Sequence, residues 1–85
     1  MESLGFIETI GLVTAIECAD CALKTANVEL VRKDNPGAGL ICVVIKGEIG
    51  AVRAAVEAAK EAGNRVGKVV ATNVIARPDA QTVSF

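Results

Sequence analysis

Val28-Glu29-Leu30-Val31-Arg32-Lys33-Asp34-Asn35-Pro36-Gly37-Ala38-Gly39-Leu40-Ile41-Cys42-Val43-Val44-Ile45-Lys46 is the stretch that decides the fold. Two strand-like runs, 28–33 and 40–46, flank the segment Asn35-Pro36-Gly37-Ala38-Gly39. In the first run Val28 and Leu30 alternate with Glu29 and Val31, the period of a strand. The second is apolar from Leu40 to Ile45, the pattern of a central strand covered on both faces. Two glycines one residue apart let backbone approach a ligand or another copy of the chain closely. Pro36 stiffens the segment and removes one N–H donor. A loop of this kind displays backbone amides better than catalytic side chains, which points to binding or transit rather than chemistry.

Working outward, residues 5–10 alternate, with Phe6, Glu8 and Ile10 opposed to Ile7 and Thr9. Gly11 ends that strand. Residues 12–26 have helical period: Leu12, Ala15, Ile16, Ala19, Ala22, Leu23 and Ala26 share one face, and Thr14, Glu17, Asp20, Cys21 and Lys24 the other. Gly47 breaks the strand that follows the loop, and Glu48 is placed in the first turn of a second helix, where a carboxylate suits the helix dipole. That helix is expected to run to Ala62 and stop at Gly63. Its buried stripe reads Ile49, Val52, Val56 and Ala59, with Ala51, Ala54, Ala55, Ala58 and Ala62 around it. Residues 68–76 form a last strand stopped by Pro78, and 79–85 a short tail. The order βαββαβ gives an α+β fold, an antiparallel ferredoxin-like sheet covered by two helices in a single domain spanning 1–85.

Composition narrows the function. The 85 residues are 52% hydrophobic and 2% aromatic, more apolar surface than a lone domain of this size hides easily, so subunit contacts are expected. Net charge is −1, without a basic stripe for nucleic acid. No apolar run is long enough to span a membrane. The first residues carry no basic signal region, which leaves the cytoplasm as the expected location. There is no His, the commonest general base and metal ligand. Cys18-Ala19-Asp20-Cys21 has the spacing of a metal clip or redox dithiol, but it falls inside a helix, with only Cys42 besides. Ordinary small residues, no metal and no cofactor are the expectation. Glu57 and Glu61 share an exposed helix face with Arg53 and Lys60 nearby, a solvated surface rather than an acid–base pair. Gly37-Ala38-Gly39 precedes a strand, not a helix, so it lacks the context of a nucleotide loop. Lys24, Asn27, Arg77 and Pro78 stand at element ends, where cationic stems can lie across a neighbouring subunit.

Five segments then converge. Leu4-Gly5-Phe6-Ile7-Glu8-Thr9, Lys24-Thr25-Ala26-Asn27-Val28, Gly37-Ala38-Gly39-Leu40, Lys46-Gly47-Glu48-Ile49-Gly50-Ala51-Val52 and Val74-Ile75-Ala76-Arg77-Pro78 stand in the order and spacing of one family. The chain resembles the hexameric shell proteins of bacterial microcompartments, the type with a single BMC domain (BMC-H). The resemblance implies a non-enzymatic structural protein, located in a cytoplasmic microcompartment shell. Its flat homohexamers would tile with other shell proteins around encapsulated enzymes. It implies that Asn35, Pro36, Gly37, Ala38 and Gly39 line a central pore for small metabolites, and that Lys24, Asn27, Arg77 and Pro78 form the edge between hexamers. The family's pore loop commonly reads Lys-Ile-Gly-Ser-Gly. Here Asn35 replaces the Lys and the Ala38 methyl replaces the Ser hydroxyl, which predicts a pore with fewer hydroxyls but still ringed by N–H groups. Two other readings share the topology. One is a small trimeric regulatory module using 35–39 as a ligand loop, and the other a metal chaperone, which would need its Cys pair ahead of the first helix.

Overall fold

The computed structural model describes residues 2–76, and the elements run β1 (Ser3–Ile10), α1 (Leu12–Thr25), β2 (Glu29–Gly37), β3 (Leu40–Gly47), α2 (Ile49–Val66) and β4 (Lys68–Ile75). The four strands pair in the order β2-β3-β1-β4, antiparallel throughout. The α+β, βαββαβ expectation is what the chain forms. Each helix is a crossover: α1 carries the chain from β1 past β3 to β2, and α2 from β3 past β1 to β4.

Both helices cover the same face of the sheet. Along β1, Ser3, Gly5, Ile7 and Thr9 are buried and the residues between them are not. A Cβ on Gly5 would come within 2.8 Å of Val56 and 2.9 Å of Val52, so this row lies directly beneath α2. Cross-strand partners share a face. The register therefore adds Val43 and Ile45 of β3, and Thr72 and Val74 of β4, to the covered side. The opposite face carries Phe6, Glu8 and Ile10 with Leu40, Cys42, Val44, Ala71, Asn73 and Ile75, and among the described residues no helix lies on it. β3 is thus interior but covered by helices on one face only, which corrects the expectation of two. Val44 is nevertheless fully buried on the open side, between its register partners Phe6 and Arg32.

The helices differ from their sequence reading in an informative way. On α1 the buried residues are Thr14, Ala15, Cys18, Ala19 and Ala22. Leu12 is 54% exposed, Ile16 50% and Leu23 45%, although periodicity placed them on the buried face. The reason is the partner. α2 meets α1 at Ala59 and Gly63, which face Cys18 and Thr14, and helices with small facing residues approach too closely to admit Leu or Ile between them. Cys18 donates its S–H to the Ala59 carbonyl, Sγ to O 3.3 Å, across that seam. α2 also runs four residues past Ala62, so Gly63 is not a terminator. It lies inside the helix because a Cβ there would sit 2.5 Å from Cys18 Sγ and 2.6 Å from Val69 Cγ2. The helix ends at Gly67 instead, where a side chain would strike the Thr14 hydroxyl. Glu48 is the residue before the first turn rather than within it, Ile49 is only half-buried, α1 stops at Thr25 and β4 at Ile75.

Candidate functional site: the β2–β3 hairpin tip

The predicted loop is shorter than expected and more ordered. β2 continues through Asn35 and Pro36 to Gly37, so only Ala38 and Gly39 lie outside the strands. The pairing passes from Asp34↔Cys42 to Gly37↔Leu40, which sets two residues, Asn35 and Pro36, opposite Ile41 alone. This is a β-bulge, and Pro36 fits it because it has no N–H for a regular ladder. Ala38 (φ 57°) and Gly39 (φ 79°) both take positive φ, the signature of a type I′ turn. Ala38 is the one non-glycine residue with positive φ among the described residues, a conformation that costs an L side chain on the order of 1–2 kcal/mol.

The tip is held by few bonds. The Asn35 side-chain oxygen accepts from the Gly37 N–H at 3.2 Å. The Gly39 carbonyl accepts from the Gly11 N–H at 2.8 Å. Thr9, fully buried on the helix side, lies with its hydroxyl oxygen 3.3 Å from the carbonyls of both Gly11 and Ile41. A Cβ on Gly37 or Gly39 would meet nothing within 4 Å, so the turn stands clear of the described residues. Among the described residues no acceptor meets the N–H of Ala38 or Gly39. All five residues from Asn35 to Gly39 are exposed. Behind the tip, Arg32 Nε donates to Asp34 Oδ2 at 2.7 Å, so the acid nearest the loop is already paired.

The predicted edge residues lie elsewhere. Lys24, in the last turn of α1, is paired with Asp20 one turn earlier at 3.0 Å. Its ammonium pKa is pushed up by the hydrogen bond to Asp20 and then by that carboxylate's charge. Asn27 follows α1 and lines a shallow hollow of about 200 Å³ with Glu2, Glu29, Lys46, Gly47 and Glu48. Lys46 there reaches Glu29 at 3.6 Å and Glu2 at 3.8 Å. Arg77 and Pro78, like the tail 79–85, lie outside the described residues.

Two of the three thiols are held in their protonated form by burial. Cys18 is fully buried and burial pushes its pKa up to about 11, with Cys21 and Glu17 adding to the rise. Cys42 is half-buried on the open sheet face, where burial and then Glu8 and Asp34, its register partners, also raise it. Such thiols stay protonated, which suits packing and not nucleophilic or metal chemistry. Sequence reasoning singled out 35–39 but missed Thr9 and Gly11 behind them. The signal available was a β-branched hydroxyl two residues before a glycine at a strand-to-helix corner.

A four-stranded sheet backed on one face by two helices, with its other face open among the described residues and a turn there whose N–H groups meet no acceptor, has the form of an assembly module. The BMC domain family matches residues 3–78, and the chain belongs to that family. It is 49% identical over 77 residues to the bacterial microcompartment shell protein PduA of Citrobacter freundii, covering 91% of this chain and 83% of that protein. It is 52% identical over 77 residues to the carboxysome shell protein CsoS1A of Hydrogenovibrio crunogenus, covering 89% of this chain and 80% of that one. A solved microcompartments protein from Desulfitobacterium hafniense superposes with a TM-score of 0.84 at 31% identity, over 95% of this chain; the chain spans 44% of that longer one. The chain is a bacterial microcompartment shell protein, homologous to PduA and CsoS1, and its role is structural and not enzymatic. Its place is the shell, in assembly with other shell components.

Proposed function

We propose that this shell protein, acting as one tile over residues 1–85, closes into a homohexamer whose axis is ringed by Asn35, Pro36, Gly37, Ala38 and Gly39, and that small metabolites pass through this ring. The observation that carries the reading is the hairpin tip: a turn clear of the described residues, with the Ala38 and Gly39 N–H groups unpaired among them. Two unlike apolar faces support ring closure. One is the outer stripe of α1, with Leu12, Ile16 and Leu23, and the other the sheet face that the two helices leave open, with Ile10 and Ile75 exposed and Phe6 half-buried. Contact between unlike faces is head-to-tail, and head-to-tail contacts close into rings when the rotation permits. Lys24, Asn27, Arg77 and Pro78 then serve the rim where hexamers tile with one another and with other shell proteins around encapsulated enzymes.

Native mass spectrometry combined with a pore variant tests this. The wild type should run as a hexamer. Ala38→Asn, which tolerates positive φ, should keep the hexamer and slow entry of a small polar solute into assembled shells. A trimer, or a variant that breaks the ring, would show that 35–39 lie at a subunit contact or a ligand loop instead.

A further inference from the structure

The tip carries little that could hold it in place. Its side chains are exposed, and the bulge at Asn35 and Pro36 interrupts the ladder just behind it. Beyond the Gly37–Leu40 pair and the Asn35–Gly37 bond, what holds it comes from the corner between β1 and α1. We propose that Thr9 and Gly11, at the corner between β1 and α1, are positioning residues that set where the 35–39 turn stands; this rests on the pore reading above.

Gly11 makes three connections at once. Its N–H donates to the Gly39 carbonyl at 2.8 Å, and its own carbonyl receives the Ala15 N–H of the first helical turn at 3.4 Å and faces the Thr9 hydroxyl at 3.3 Å. Gly11 holds φ 87° and ψ 156°, a backbone region open essentially only to glycine. Only with that conformation does the N–H face sideways to the tip while the next residue begins α1. Thr9 closes the other side. Its hydroxyl, 3.3 Å from both the Gly11 and Ile41 carbonyls, shares its one proton between them and links the corner to the residue opposite the bulge, where the β2–β3 register shifts. The corner thus braces the tip at Gly39 and at the base of the bulge. Because α1 starts at the same corner, with exposed Leu12 as its first residue, the brace also joins the tip to the helix face offered to a neighbouring subunit.

Thr9→Val removes the hydroxyl and keeps the shape, so the buried packing survives; Thr9→Ser returns the hydroxyl. Gly11→Ala tests the other end of the brace: the added methyl meets nothing within 4 Å, so only the backbone conformation is disturbed. Amide exchange of Gly11, read in the assembled protein, should speed up roughly tenfold in Thr9→Val and return towards wild type in Thr9→Ser. Glycerol entry into assembled shells should change in Thr9→Val and Gly11→Ala; the melting temperature should fall clearly in Gly11→Ala, whose backbone region disfavours any side chain, and by no more than several degrees in Thr9→Val. If Gly11 exchange is unchanged in Thr9→Val, or Thr9→Ser fails to restore it, the brace does not exist and the proposal falls, whatever glycerol does. If exchange rises and glycerol entry is unchanged in both variants, the brace is real but the tip does not govern passage, and the pore reading fails with it.

Discussion

The seam between α1 and α2 and the tip of the β2–β3 hairpin are built on opposite terms. At the seam Thr14 and Cys18 meet Ala59 and Gly63, all buried, with no room for a further methyl at Gly63. At the tip all five residues are exposed and there is open space around Gly37 and Gly39. The seam is specified by side-chain volume and the tip by backbone dihedrals and a handful of hydrogen bonds. Stability should therefore be lost by adding atoms at the seam, whereas the tip should respond to conformational preference. The fold depends on the first region, and the proposed passage on the second.

The sharpest way to break that contrast is Gly63→Val. Overpacking a filled interior costs on the order of 1–3 kcal/mol, and here two buried neighbours, Cys18 Sγ and Val69 Cγ2, already lie within 2.6 Å of the first added carbon. We expect a loss of about 3 kcal/mol in denaturant unfolding, partly recovered when Cys18→Ala is combined with it. Full additivity of the two substitutions would mean that they do not share the space. A smaller effect follows from Cys18 itself. Its thiol holds its proton more tightly folded than unfolded, with a pKa moved from 9.0 to about 11. The folded state therefore keeps this contribution below about pH 9 and loses it as pH rises through about 11. A rise of that size corresponds to at most about 3 kcal/mol between those limits. Unfolding free energy measured across that range should fall, and Cys18→Ala should flatten the fall. Equal slopes in the two proteins would refute the assignment to Cys18.

How much of this was legible in the sequence follows the same division. The order of elements along the chain was readable because β1 alternates cleanly and β3 is an unbroken apolar run. The α1 face was readable in part: Ala15, Ala19 and Ala22 are buried as their grouping implied, whereas Leu12, Ile16 and Leu23, grouped with them, are exposed, and Thr14, placed on the polar face, is buried. Size favours burying Leu12, Ile16 and Leu23, but a close partner helix admits only small residues and Thr14. Gly63 was misread for a related reason: a glycine near a helix end looks like a stop, and only the neighbouring helix reveals it as a close-packing position. At the tip, the glycines and Pro36 marked the segment, but Ala-Gly is not the Asn-Gly that announces a type I′ turn. The brace from Thr9 and Gly11 joins residues about thirty positions away in the chain, and no local pattern announces such a contact.

The tip offers a change of opposite sign. Ala38 holds φ 57° at the first turn position, where Asn is far better tolerated and Asn-Gly is the favoured pair. Ala38→Asn should raise stability by about 0.5–1 kcal/mol, although it adds atoms to the chain. The same class of change at the seam does the reverse, so the two variants measured side by side sharpen the contrast. A loss of stability in Ala38→Asn would show that the turn is packed against something, contrary to its open surroundings.

Lys24 should affect the fold least of all, and this makes it the cleanest test of the rim. It is exposed and already paired with Asp20 at 3.0 Å within its own helix. Exposed pairs one turn apart contribute little to stability, so Lys24→Ala should leave the melting temperature and the ring unchanged. If Lys24 reaches across to a neighbouring hexamer, it must leave Asp20 to do so, or carry Asp20 with it. Asp20→Asn separates the two routes. Under the first it frees the ammonium and should strengthen sheet formation seen by electron microscopy; under the second it should weaken it. Lys24→Ala should weaken sheets under both. Sheets that form as readily in Lys24→Ala as in the wild type would remove Lys24 from the rim and leave Asn27, Arg77 and Pro78 to account for it.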